Sequence, residues 1–332
     1  MAKSSLTNAL VIFSAVLLLT GAAPGATRKP TPSKPSKPSA TKVAKKPTPT
    51  PTPAPLAPGE LPLAAKSAIL LNAKTGDVLY EKAPDEMRFP ASATKILTAL
   101  LVLEKGDLDQ KVTIQVEDTK VEPSALEFKP GEEYTRRELL FALLLKSAND
   151  VALALARDHA GSVKEFAEKM TKRAEELGAK ASHFMNPHGL HDPRHFTTAR
   201  DLALIARFAM QQPLFREIVA TPVFSMMRGD EKVLFKNHNK LLGMFTGCIG
   251  VKTGYTRASQ QVLVSCACRA DCEAISVIMH SDKPGIWNDS KTLLEHAFEK
   301  LGAGPPPAPP APPAPPAKPA VPAVPATPTP KI

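Results

Sequence analysis

From Ser67 to Lys82 the chain runs as two apolar stretches around Ala-Lys-Thr-Gly-Asp. That pattern predicts a β-hairpin. From Ala91 to Gly106 the period changes: apolar residues recur at helical spacing, with Ser92 as a cap candidate and Gly106 as a stop. Residues 135–146 open with Thr135 and Glu138, the letters of a capping box. The run Leu139–Leu145 that follows is apolar on nearly every side and predicts a buried helix. Ser147-Ala148-Asn149-Asp150 interrupts the pattern, and a further helix is expected over 150–161 with Asn149 at its start. Ser162 and Glu165 suggest another capping box, for a helix ending near Gly178, and Thr198 precedes one more. Then the texture turns β-rich: 248–255, 260–269 and 273–281 are short apolar runs separated by turns, which predicts an antiparallel meander. An amphipathic helix over 287–302 closes the series. Strands open and close the domain, with helices inserted between them. The expected fold is α/β of the α+β type: an antiparallel sheet flanked by helices, an inserted all-helical subdomain, and a cleft where the two meet.

The ends of the chain have a different composition. Residues 1–26 read as an export signal: Lys3 is followed by a mostly apolar stretch from Ala9 to Ala23, with small residues at the cleavage points beyond. The apolar stretch is short for a membrane span, which needs ~20 apolar residues. Residues 27–58 and 304–332 are dominated by Pro, Ala, Thr, Ser and Lys, a composition that buries too little apolar surface to offset chain entropy. Both are expected to be stiff tethers, which leaves 59–303 as the folded domain.

This division locates the charge. Of 42 basic residues, ten lie in the flanks and signal, which hold no acidic residue; the remaining 32 face 32 acids, so the net +10 belongs to the flanks. The high pI therefore gives no case for nucleic-acid binding by the folded part. The basic tethers suit an electrostatic contact with the anionic cell envelope, or simply keep a Pro-rich linker soluble. Cys248, Cys266, Cys268 and Cys272 have no finger-like fourth ligand spacing, so structural or free thiols are expected and no metal site.

Two short motifs occur twice. Ser-Ala-Thr-Lys stands at 39–42, in Pro-rich sequence without apolar periodicity, and at 92–95, where it opens an apolar helix. Only the second can hold a lysine one turn from a serine in a desolvated setting. A serine hydroxyl is a poor nucleophile until a base takes its proton, and a lysine serves only when neutral. Lys-Thr-Gly stands at 74–76, where a hairpin turn explains it, and at 252–254 beside β-rich sequence. There Lys252, Thr253 and Gly254 offer a cation, a hydroxyl and bare backbone to a substrate carboxylate. Ser147 and Asn149, between two helices, can point a hydroxyl and a carboxamide into one space, or cap the next helix.

Ser-x-x-Lys, Ser-x-Asn and Lys-Thr-Gly in this order form the motif set of β-lactamases and penicillin-binding proteins. With "FPASATKILTALL", "YTRRELLFALLLKSANDVALALA", "FMNPHGLHDPRHFTTARDLALIA" and "GVKTGYT", residues 61–302 resemble the D-alanyl-D-alanine carboxypeptidases, the low-molecular-weight penicillin-binding proteins. The resemblance implies a β-lactamase/transpeptidase-like fold, peptidoglycan stem peptides as substrate, β-lactams as inhibitors, no cofactor, and a periplasmic or cell-envelope location. It further implies Ser92 as nucleophile, Lys95 as its base and Ser147 as proton relay. Asn149 would bind the substrate amide, Lys252, Thr253 and Gly254 would receive the carboxylate end, and the Ser92 and Tyr255 N–H groups would form the oxyanion hole. Two positions depart from the pattern: Gln260 where Gly is frequent, and His238 where relatives can carry a stronger cation between two Asn. Members with a further C-terminal β-domain and amphipathic membrane helix exist; here Gly304 leads into Pro-rich sequence and neither is expected.

Three rivals remain. A D,D-endopeptidase of the same family would share every motif. A zinc peptidase would need His183, His188, His191 and His195, which lie in Pro- and Gly-broken sequence without a His-Glu-x-x-His pair, and are expected to be loop residues. A non-catalytic wall-binding protein would suit the tethers but leave the Ser92, Lys95, Ser147 and Lys252 set without a purpose.

Overall fold

The structure, a computed structural model, describes residues 59–305. The signal, the linker and most of the Pro-rich tail lie outside the described residues.

The predicted hairpin is formed by β1 (Ser67–Asn72) and β2 (Val78–Lys82). Its turn is tied by the Asn72 side chain, which accepts from the Lys74 N–H at 3.0 Å, and by Gly76 in the left-handed region at φ 86°. The late strands β7 (Cys248–Thr256), β8 (Gln260–Arg269) and β9 (Cys272–Ser281) form the expected meander. β9 pairs antiparallel with β1, which closes one five-stranded sheet of order β2-β1-β9-β8-β7.

Alternation along these strands feeds two cores. Leu70, Leu263, Ala267 and Ile278 face the closing helix α7 (Gly285–Lys300) and pack on its Leu293, Leu294, Ala297 and Phe298. Ile69, Leu71, Val264, Ile275 and Val277 face the other way and join a larger core with the inserted helices. Those helices are α1 (Lys95–Lys105), α2 (Arg136–Leu145), α3 (Asn149–Ala160), α4 (Val163–Glu176), α5 (Ala199–Met210) and α6 (Pro213–Ala220). The capping box at Thr135 and Glu138 is present in both directions, and Ser162 and Thr198 cap α4 and α5.

The insertion carries two ribbons that the hydrophobic pattern did not announce: β3 (Lys111–Thr113) with β4 (Glu133–Thr135), and β5 (Val223–Arg228) with β6 (Glu231–Lys236). Val223, Met227 and Leu234 are exposed large apolar residues on β5 and β6, so alternation does not mark the buried face. The ribbon is anchored by Met226 and Phe235, both buried in the larger core, and by Phe224, stacked on Phe141 of α2 at 3.9 Å. Among the described residues, no helix is long and apolar enough to cross a membrane.

Candidate active site

Ser92 lies inside a 3-10 turn, Ala91–Thr94, that runs directly into α1. It is not an N-cap, a correction to the sequence reading. The residues at the cap positions, Pro90 and Thr94, make no capping bond, and Ser92 Oγ stands 3.2 Å from Lys95 Nζ instead. Side chains three residues apart eclipse in a 3-10 turn, which is why Ser-Ala-Thr-Lys sets the amine over the hydroxyl.

Lys95 is fully buried. Its Nζ donates to Asn149 Oδ1 at 2.6 Å and to the His188 carbonyl at 2.7 Å. Neither oxygen can donate in return. A neutral amine has two N–H groups and one lone pair, so these two acceptors use its hydrogens and leave the lone pair for the Ser92 hydroxyl. Burial pushes the Lys95 pKa well below its ordinary value, and the nearby Lys252 charge lowers it further, while Asp150 acts in the opposite sense.

Ser147 and Asn149 do not cap α3 either. The N-cap is Ala148, without a side-chain bond. Ser147 stands in the left-handed region at φ 62° and its hydroxyl accepts from Lys252 Nζ at 3.0 Å. Asn149 is held from behind: its Nδ2 donates to the Pro123 carbonyl at 2.6 Å and its backbone N–H to the Ser124 carbonyl at 2.8 Å.

Lys252 comes from β7, the edge strand of the sheet. It is buried, and burial lowers its pKa to about 7. Gly254 has a steric reason. A Cβ there would stand 3.0 Å from the Ser92 backbone nitrogen and 3.1 Å from the Pro90 carbonyl oxygen, so a side chain would crowd the turn that carries Ser92. Thr253 is half-buried and Tyr255 exposed; both border the cleft, of about 330 Å³, with Ser92, Ser147, Pro123, Ser124, His238, Gln261, Ile286 and Trp287. The copy at Lys74-Thr75-Gly76 is an exposed hairpin turn.

His238 borders the cleft as a neutral ring. One edge meets solvent, but lost hydration on the other, then Lys252 and Lys146, push its pKa down to about 4. Gln260 adopts φ 54°, the left-handed backbone that favours glycine, as β8 begins.

Sequence reasoning missed the floor of the site. The loop Asn186–Leu190 supplies the His188 carbonyl to Lys95, and its Pro187 carbonyl accepts from the Thr98 hydroxyl at 2.7 Å. Asn186 Oδ1 holds it by accepting from the His188 and Gly189 N–H groups at 3.3 and 2.7 Å. His195 Nδ1 accepts from the Met185 N–H at 3.1 Å, which leaves its other nitrogen to donate to Thr94 Oγ1 at 2.9 Å. The Asn-Pro and His-Gly letters signal a turn; nothing in them points at Lys95. His183, His188, His191 and His195 are loop residues, and among the described residues no group of His, Cys, Asp or Glu could hold a metal. All four cysteines are free.

The family model of the D-alanyl-D-alanine carboxypeptidases, the S11 peptidases, matches residues 54–283, and the chain belongs to that family. It is 35% identical over 253 residues to the D-alanyl-D-alanine carboxypeptidase DacF of Bacillus subtilis, covering 74% of this chain and 65% of that relative's length. With DacB2 of Mycobacterium tuberculosis, also a D-alanyl-D-alanine carboxypeptidase, it shares 35% identity over 240 residues, 70% of this chain and 82% of the relative. A D-alanyl-D-alanine endopeptidase of Pseudomonas aeruginosa is 32% identical over 207 residues, 61% of this chain and 66% of that one. Among solved structures, a D-alanyl-D-alanine carboxypeptidase of M. tuberculosis superposes with a TM-score of 0.69 at 35% identity, covering 73% of this chain and 94% of that one. A Streptomyces DD-transpeptidase does so with 0.68 at 33% identity, covering 71% and 98%.

Proposed function

We propose that this chain is a serine D-Ala-D-Ala carboxypeptidase that removes the terminal D-alanine of peptidoglycan stem peptides through an acyl-enzyme on Ser92. The observation that carries the reading is the Lys95 amine, buried and with both hydrogens engaged, 3.2 Å from Ser92 Oγ. Ser92 Oγ attacks the carbonyl of the D-Ala-D-Ala bond as Lys95 takes its proton. The C–N bond then breaks, and the Ser147 hydroxyl, itself hydrogen-bonded by Lys252, passes a proton to the departing amine. Water hydrolyses the ester and regenerates Ser92. Backbone N–H groups of Ser92 and Tyr255 hold the developing oxyanion, a contribution worth ~10²–10³ in rate per donor in other acyl-transfer enzymes. Asn149 meets the substrate amide, and Lys252, Thr253 and Gly254 receive the terminal carboxylate. A β-lactam acylates Ser92 in the same pose. The signal-like start and basic flanks support export, a periplasmic or envelope location, and contact of the tethers with anionic envelope polymers.

The test is labelling with a fluorescent penicillin together with D-alanine release from a pentapeptide. Wild type should be labelled and release D-alanine, and Ser92→Ala should do neither. Labelling that survives Ser92→Ala would sink the assignment of the nucleophile.

One observation favours a second reading, a D,D-endopeptidase. The cleft lining holds no arginine, and His238 is neutral. Lys252 is then left to select for a free carboxylate on the leaving residue without a second cation beside it. Turnover of a cross-linked muropeptide against a pentapeptide separates the two.

A further inference from the structure

Arg228 ends β5, far in sequence from every predicted site residue, and reaches over the loop Val121–Phe128. Its Nη1 donates to the Leu126 carbonyl at 3.2 Å, its Nη2 to the Glu127 carbonyl, and its Nε to Glu132 Oε1 at 3.3 Å. The guanidinium carbon stands 5.2 Å from the centre of the Phe128 ring. Phe128 stacks on Tyr134, whose hydroxyl donates to the second Glu132 oxygen at 3.0 Å. Several donors in a fixed planar fork are what arginine has and lysine lacks.

The clamped loop is also a wall of the cleft, through Pro123 and Ser124. The carbonyls of those two residues hold Asn149, and the Leu126 N–H donates to Asp150 Oδ2 at 2.8 Å. Asn149 Oδ1 in turn accepts from Lys95. Ser124 and Glu127 stand at φ 65° and 55°, conformations that persist in non-glycine residues only where the surroundings over-determine them.

We infer that Arg228 is a positioning residue for acylation: by clamping the Leu126 and Glu127 carbonyls it fixes the loop whose Pro123 and Ser124 carbonyls hold Asn149 against Lys95. Arg228 touches neither Ser92 nor the cleft lining. The titratable groups facing Lys95 are Lys252, Asp150, His188 and His195, and Arg228 contacts none of them. The inference rests on the reading of Ser92 as nucleophile for its kinetic arm only.

Three measurements on the full chain test it. Arg228→Gln should lower the second-order rate of penicillin acylation by about a hundredfold, the scale of a misplacement near 1 Å. The acid limb of that rate should move to higher pH, because water reaching a loosened Asn149 restores hydration to protonated Lys95. Amide exchange should rise at Leu126 and Asn149. Arg228→Lys should recover only part of the rate, having no fork. Glu132→Gln, a milder change that leaves the backbone contacts in place, should shift all three in the same direction by smaller amounts and serves if Arg228→Gln does not fold. Acylation within twofold of wild type in a folded variant overturns the proposal, as does a slower rate with an unmoved acid limb. If wild type itself is not labelled, the Ser92 reading fails, and exchange at Leu126 and Asn149 still decides: unchanged protection overturns the clamp.

Discussion

The proposed mechanism asks one lysine to be a base and another to be a cation in the same buried space, and their surroundings differ. Lys95 meets two obligatory acceptors and a hydroxyl, and its pKa is lowered by burial and then by Lys252. Lys252 is lowered to about 7 by burial alone. The charge of Lys252 opposes a second charge on Lys95, so Lys95 loses its proton first. Below the Lys95 pKa the base is protonated and acylation slows; above about 7 Lys252 loses the charge that attracts a carboxylate. The expected kcat/KM for a carboxylate-bearing substrate is bell-shaped, with its alkaline limb near 7. A substrate whose carboxylate is esterified should keep the acid limb and lose the alkaline one; identical profiles for the two would reject this division of roles. Gly254 gives a second test at this scale. Gly254→Ala puts a methyl against the Ser92 nitrogen and the Pro90 carbonyl. Acylation should fall about ten- to a hundredfold with cooperative unfolding retained. An unaffected acylation rate would show that β7 and the Ser92 turn need not touch.

Elements were legible where one signal had one reading. Thr135 with Glu138, Thr198 before α5 and Gly106 after α1 each marked a real boundary, because a cap satisfies backbone groups that the helix cannot. The same letters misled at Ser92 and invited a capping reading of Ser147 and Asn149. A side chain that can cap can also be withheld from capping, and only tertiary partners decide. Short ribbons such as β3 with β4 were unreadable because their register is set by neighbours rather than by a repeating face. The floor loop Asn186–Leu190 was unreadable for another reason: it works through a carbonyl, and carbonyls leave no trace in a sequence. A real cap and a withheld one predict different mutants. Thr135→Ala removes an acceptor for the Glu138 N–H and should cost about 1 kcal/mol in denaturant unfolding. Penicillin acylation by the folded fraction should be unchanged. A loss of acylation there would mean that α2 transmits its end geometry to Ser147, which follows it.

On the scale of the whole molecule, the site is a seam. The sheet brings Lys252 and Gly254, the insertion brings Ser92, Lys95, Ser147 and Asn149, and a loop between α4 and α5 closes the floor. Buried polar groups hold that seam, and two of them are histidines kept neutral. Burial first, then Lys95 and His195, push His188 down to about 3. Burial lowers His195 to about 4, against an opposing effect of Asp192 and helped by His183 and Lys95. In the unfolded chain both return to ~6.5. Below that pH the unfolded state takes up protons that the folded state refuses, so folding free energy falls as pH drops toward about 4. The histidine contribution is complete above ~6.5, and its loss reaches about 2 kcal/mol per histidine near pH 5. Urea midpoints followed from about pH 7.5 to about pH 4.5 should fall steadily. His195→Gln, which keeps a donor for Thr94 Oγ1 but cannot titrate, should flatten the slope without abolishing it, because His188, His238 and Lys95 also refuse protons in the folded state. A wild-type midpoint that does not move across this window would mean that the seam hydrates before it unfolds, with the floor loop opening to water while the two cores stay packed.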